Sequence, residues 1–340
     1  MSASTAAITA SRPNAILSRL ASWDVAVIAV TVLVLLVASA KVESFATTQN
    51  FGFLVLDLLP IALVALPMTF IIVTGEIDLS VASTLGLSSA VMGSLWNSGL
   101  SIEVIVPLCI VLGAALGAVN GFFVTVLRLP SLAVTIGTLA LYRGLAFVVL
   151  GDSAVADFPA QYTSWVTGNV GDSSIPNVLI LLLILAAVFG VVLQATPVGR
   201  AVFAVGASEQ AARFAGVRVG QMRFWLYVVS GAVAGLAGVL WTLRYSSARA
   251  DNGAGLELAV VAAVLLGGVS IFGGKGTLPG VLAGVVLLAA LQNALRLSDV
   301  SNEALNVVTG ALLIVSVLAP NSANAIRSAI QRREHRSRSG

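Results

Sequence analysis

Polar side chains are few in this chain, and the densest group is TGEIDLSVAS (74–83), where Glu76 and Asp78 precede Ser80 and a renewed apolar run. Oxygens at that spacing accept hydrogen bonds from the free amides of a helix start, so Asp78 or Ser80 is expected to cap the following helix in a re-entrant turn. The competing reading is contact with a solute or coupling ion, because carboxylates at membrane depth are functional candidates. Asp57, three residues before the helix-breaking Pro60, either lines a pathway or sits near the outer membrane face. Other polar residues within apolar runs are Asn120, Thr135, Thr138, Tyr142, Arg143, Gln292, Asn293 and Asn306. Amides, hydroxyls and a phenol suit an uncharged hydroxylated solute, and Trp96 or Tyr142 offers a ring face to a sugar. Asp57, Asn120, Tyr142, Gln292 and Asn293 are therefore the candidate pathway lining, against a plainer role as hydrogen-bonding links between helices.

Catalytic and cofactor chemistry finds little support. The stretch GGVSIFGGKGT (267–277) is rich in glycine, but Gly276 follows Lys275 where a phosphate loop needs Ser or Thr, and Val269 stands where it needs glycine. No other stretch fits, so no cofactor is expected here and ATP, if used, is bound by another chain. Cys109 is the lone cysteine and His335 the lone histidine, in a polar tail, which leaves no ligand set for a metal or haem.

The groups above must be positioned by helices in a bilayer. Of 340 residues, 58% are hydrophobic and 10% charged, against roughly 25% charged in a soluble protein. A mean hydropathy of +1.01 agrees, and a soluble enzyme is excluded. At about 20 apolar residues per crossing, the chain supplies about ten spans. They are expected near 24–40, 52–73, 79–97, 103–126, 131–150, 177–194, 223–243, 257–272, 277–296 and 304–319. The fold class is all-α and polytopic: one transmembrane domain at 23–320, a tail at 1–22 and a basic tail at 321–340.

The net charge of +3 sits at helix ends and in the tails, which reads as membrane orientation and not as a nucleic-acid surface. Most of the 18 lysines and arginines fall on one side, while Lys41, Arg143, Arg244, Arg249 and Arg296 lie on or near the other. By the positive-inside rule the majority side is cytoplasmic and both termini are inside. The segment 151–176, with Asp152, Asp157 and Asp172 and no basic residue, is then outside. The loop 195–222 is inside, and its alanines surround Glu209 and Arg213 at i,i+4 spacing, so it is expected to hold a short helix of its own. An internal echo points to duplication. GAALGAVNG (113–121) and GVLAGVVLLAALQN (280–293) each carry a Gly-x-x-x-Gly pair followed by asparagine, on spans four and nine. With spans two to five and seven to ten as units, these two cross in opposite directions, as in an inverted repeat.

GEIDLSVAS, NGFFVTVLRLPSLAVTIGTLALYRGLAFVVLGD (120–152), VGRAVFAVGASEQAARFAGV (198–217) and GLELAVVAAVLLGGVSIFGGKGTLPGVLAG (255–284) together resemble the permeases of bacterial ribose-type monosaccharide ABC importers, within the branched-chain amino acid/sugar permease superfamily. The resemblance covers about 45–320, and Glu76 stands where the family's GGIDLS has glycine. The wording is most similar to the rhamnose importer branch, whose close relatives include autoinducer-2 permeases. It implies the vitamin B12/ribose-type permease fold in the bacterial inner membrane. It also implies a second permease subunit, a cytoplasmic ABC ATPase that binds the ATP, an extracytoplasmic sugar-binding protein and surrounding lipid, with no nucleic acid. A helix over 204–216 becomes the ATPase contact, with Gly206, Ala207, Ser208, Glu209, Ala212 and Gly216 on the matching motif. Arg244 and Arg249, on the receptor's side, become candidate docking residues.

The expected function is therefore import of a neutral monosaccharide, rhamnose first, with ribose or autoinducer-2 as the alternative. An ion-coupled carrier fits less well, since no span carries paired carboxylates for a relay. A membrane-embedded transferase would want converging Asp, His or Arg near one face, and here such residues are scattered.

Overall fold

The structure, a computed structural model, describes residues 23–301, 303–316 and 318. The expected tails at 1–22 and 321–340, with His335, lie outside these residues. Among the described residues every regular element is a helix, and the only β contacts are the isolated bridges Val155–Ala248 and Asn169–Pro176.

Each expected span coincides with a helix. Seven are long and apolar enough to cross a bilayer: α1 (Trp23–Lys41), α2 (Thr48–Val73), α4 (Ile102–Thr125), α5 (Ser131–Leu150), α7 (Asn177–Ala195), α10 (Val219–Tyr245) and α12 (Leu278–Leu297). The other three expected spans fall on shorter helices: α3 (Val81–Asn97), α11 (Leu256–Leu266) and α13 (Glu303–Ser316). Between spans lie α6 (Ala160–Thr167), α8 (Pro197–Ala207) and α9 (Glu209–Phe214).

The eighth span departs most from expectation. Helix was expected over 257–272, but α11 stops at Leu266 after 11 residues, roughly 17 Å of rise against a hydrocarbon core of about 30 Å. Gly267 and Gly268 end it: a Cβ on Gly267 would strike the backbone of Gly280 and Val281 in α12, and Gly268 takes φ +89. The missing depth is covered by irregular backbone, which membranes tolerate only where protein encloses it. On one side this is the segment 246–255. Asn252 there donates to Ser89 Oγ at 2.8 Å, and Arg143 Nη1 donates to the carbonyls of Ala250 (2.6 Å) and Asn252 (2.9 Å).

From Leu58 to Val73 α2 is apolar on every face apart from Thr69, and each of these residues is buried. A helix without a polar stripe belongs at the centre of a bundle, and α2 holds that place. α10 packs on α3 and α4, while α2 packs on α11 and α12. Each unit's first helix thus lies against the other unit's middle helices. The two glycine pairs, however, are not used alike. Gly113 and Gly117 admit the backbone of α10 at Gly231 and Tyr227, whereas Gly280 and Gly284 admit α11 at Gly267 and Ala263, their own chain neighbour.

Candidate functional site

Residues 74–80 leave α2 and turn back into the bundle before α3 begins. Asp78 is 1% exposed. Its carboxylate accepts from the Ser80 amide (3.0 Å), the Ser80 hydroxyl (2.6 Å) and Ser230 Oγ of α10 (3.5 Å). Of the two expected caps, Asp78 accepts the amide of Ser80, the residue that opens α3, while Ser80 itself makes no side-chain bond to an amide of α3. Neighbouring helices hold the turn as well. Asn120 Nδ2 of α4 donates to Ser80 Oγ at 2.7 Å, and the Ile77 amide donates to Ser131 Oγ at 3.3 Å. The hydroxyls of Thr135 and Tyr227 donate to the Ile77 carbonyl at 3.3 and 3.5 Å. A buried polar group is costly unless hydrogen-bonded, and this network supplies the bonds.

Beside that turn, on the side richest in arginine, runs a chain of charges. Arg223, near the start of α10, brings Nη1 to 3.0 Å from Glu76 and 2.9 Å from Glu209, while Nη2 donates to the Thr74 carbonyl at 3.1 Å. Arg223 and Glu76 are each 16% exposed, and Arg223 Nε is buried without a partner. Glu209 also pairs with Arg213 at 2.6 Å, the expected i,i+4 contact. Hydrogen bonding from Arg213 holds the Glu209 carboxyl below its ordinary range. Backbone joins the same point: the Gly274 amide donates to the Val73 carbonyl at 2.8 Å, and a Cβ on Gly206 would collide with both. The end of α2, the 267–277 loop and the end of α8 meet atom to atom.

The expected helix over 204–216 is two helices. Ser208 is extended (φ −164, ψ 107), and its hydroxyl caps α9 by accepting from the Ala211 amide at 3.3 Å. Gly206 and Ala207 therefore end α8, and Glu209 and Ala212 lie on α9. Gly216 takes φ +86, and the Val217 amide reaches back to the Ala212 carbonyl at 3.0 Å, a Schellman closure. Gly206 lies against Val73 and Gly274, Glu209 pairs with Arg223, and Ala212 packs with Val205 and Val219. Ala207 lies against Gly274.

The candidate lining residues are spent on links between helices. Asn120 and Tyr142 belong to the core, with Tyr142 donating to the Leu116 carbonyl at 2.9 Å. Asn293 and Asn50 exchange amide hydrogen bonds at 2.9 and 3.1 Å, and Gln292 donates to Thr309 at 2.9 Å. Asp57 is claimed by two arginines, Arg244 of α10 and Arg296 of α12, the latter at 2.9 Å. None of the five is brought together with another except Asn120 and Tyr142. Of the docking pair, Arg244 is mostly buried against Asp57 and the Tyr245 ring (4.7 Å) and is not presented outward. Arg249 is exposed and paired with Asp251 at 2.8 Å. Sequence reasoning missed the Glu76–Arg223 pair, whose partners lie far apart in the chain, and Phe214, which is 84% exposed at the end of α9.

These features define a multi-pass helical membrane protein: a helical bundle with a re-entrant turn, and a short helical arm bolted to it. The sequence matches the family described as branched-chain amino acid transport system/permease component over residues 50–317, and the chain belongs to that family. It is 33% identical over 302 residues to the autoinducer 2 import system permease protein LsrD of Escherichia coli (strain K12), covering 87% of this chain and 91% of that protein. The LsrD of Shigella flexneri matches equally, and that of Yersinia pseudotuberculosis serotype O:1b (strain IP 31758) is 31% identical, covering 87% and 90%. No solved structure matches. The family is one of importer permeases, with a transport role and not a catalytic one.

Proposed function

We propose that this chain is the permease subunit of an ATP-driven importer for a small neutral polyhydroxylated solute of the autoinducer-2 class. The named relatives are autoinducer 2 import permeases, so autoinducer-2 replaces rhamnose as the first choice. The reading of an ATPase contact rests on the α8–α9 arm, which offers an exposed phenylalanine, Phe214, on one end while its other side is bolted to the re-entrant turn. An exposed aromatic flanked by a charged rim suits a protein partner. The basic side is then cytoplasmic, both termini lie inside, and ATP is bound by the partner.

The five candidate lining residues are engaged by other groups of this chain, and the solute path is accordingly assigned to the meeting of this chain with a second permease subunit. A cleft of about 660 Å³ between α2, α7, α8 and α10 is lined mostly by apolar side chains, among them Phe70, Phe189 and Trp225, with Arg218 and Gln221 its only long polar ones, and suits a polyol poorly. On the opposite face Arg249, and not Arg244, is the arginine available to an extracytoplasmic binding protein. The deciding experiment is uptake of labelled autoinducer-2, rhamnose and ribose by cells with and without this gene, the partner ATPase and receptor being present. Selective loss of autoinducer-2 uptake is expected. Selective loss of rhamnose or ribose uptake would change the solute, and loss of a charged substrate alone would overturn the class.

A further inference from the structure

We propose that Arg223 is a switchable joint that passes displacement of the α8–α9 arm to the re-entrant turn through Glu76. The proposal rests on the reading of that arm as the ATPase contact. A guanidinium that only holds a fold together does best with both forks on one carboxylate. Arg223 is arranged otherwise. One nitrogen, Nη1, serves Glu76 at 3.0 Å and Glu209 at 2.9 Å, Nη2 is committed to the Thr74 carbonyl, and Nε is buried with no partner. The three acceptors come from two parts of the chain that differ in kind. Glu76 and Thr74 belong to the turn that carries Asp78 and leads into α3, whereas Glu209 belongs to the six-residue α9.

Two arrangements are thus open to Arg223. With the arm in place, its charge is shared between the carboxylates and Nε is left unmet. With the arm drawn away, Glu209 leaves with its own partner Arg213, and Nη1 of Arg223 is free to serve Glu76 alone. Each state loses one interaction that the other has, which is the condition for two states close in free energy. The contact is a lever because Glu76 has little freedom. It lies two residues from a fully buried carboxylate whose every bond is internal. The other charged group at this point is Arg213, which holds Glu209 from its solvent side.

The test is hydrogen exchange on the complete permease–ATPase complex in detergent or nanodiscs, with and without ATP. In the unsubstituted complex, ATP should alter exchange in both 205–216 and 74–84. Glu76→Gln, which keeps the volume and removes the charge, should leave the ATP-dependent change at 205–216 and reduce that at 74–84 at least fivefold. Glu76→Asp should restore most of it, and Glu76→Gln combined with Glu209→Gln should be no worse than either alone. A purely structural role would shift the melting temperature without separating the two segments. If Glu76→Gln passes the ATP signal to 74–84 undiminished, or if the two substitutions act independently, the joint is refuted while the ATPase contact stands. Absence of any ATP-dependent change at 205–216 in the unsubstituted complex would remove the contact itself, and the joint with it.

Discussion

α2 is pinned to α10 near both ends by arginine and carboxylate, and the two clusters are built on different plans. Near one end Asp57 of α2 takes Arg244 of α10 and Arg296 of α12, two cations on one anion, all three on membrane-length helices. Just past the other end Glu76 takes Arg223, which also reaches Glu209 on an arm outside the long helices, and the charges of Glu76, Arg223, Glu209 and Arg213 balance. A cluster confined to packed helices can only hold them. One that includes a separate short element can move with it.

The largest effect is expected from Gly206→Val. The added carbons meet the backbone of Val73 and Gly274, which cannot swing aside as a side chain would. The cost should exceed the roughly 1–3 kcal/mol of ordinary overpacking, seen as loss of folded protein or a steep fall in melting temperature in detergent. A tolerated valine would show that the arm is not seated on the end of α2. Next comes Asp57→Asn, which leaves the mostly buried Arg244 without its charge partner and should remove about 3 kcal/mol of stability. In this variant the response of 74–84 to ATP should remain intact. Thermal unfolding and hydrogen exchange together check it, and a lost ATP response with unchanged stability would erase the distinction between holding and moving clusters.

The smallest effect concerns pH. Folding with Arg213 in place lowers the Glu209 pKa, so the pairing adds stability above the ordinary glutamate value, about 4.3, and loses it as pH falls through the lower folded value. Protection in 208–214, with exchange corrected for its intrinsic pH dependence, should therefore fall once pH drops below the ordinary glutamate value. Because Glu209 is well exposed, the gain is small. Protection that stays constant with pH across that range would remove the Glu209–Arg213 pair from this cluster.

Composition and periodicity were enough to determine a multi-pass helical membrane protein and the order of its apolar helices. These follow from burial in hydrocarbon, which each segment meets residue by residue. The family was legible too, in four separated motifs. Local sequence also carried the Glu209–Arg213 pair, because helical spacing alone brings i and i+4 together. Other features depended on neighbours distant in the chain. α11 ends early because Gly267 admits the backbone of α12, and the arm breaks at Ser208, whose hydroxyl turns to cap α9. Asn293 finds Asn50 and Arg244 finds Asp57, so residues that read as pathway lining or docking are occupied elsewhere. Arg223, counted from sequence only as one more basic residue, became the meeting point of two elements that no spacing rule connects. A polar group in a membrane protein must find its partner inside the protein, and which partner it finds is decided only when the helices pack.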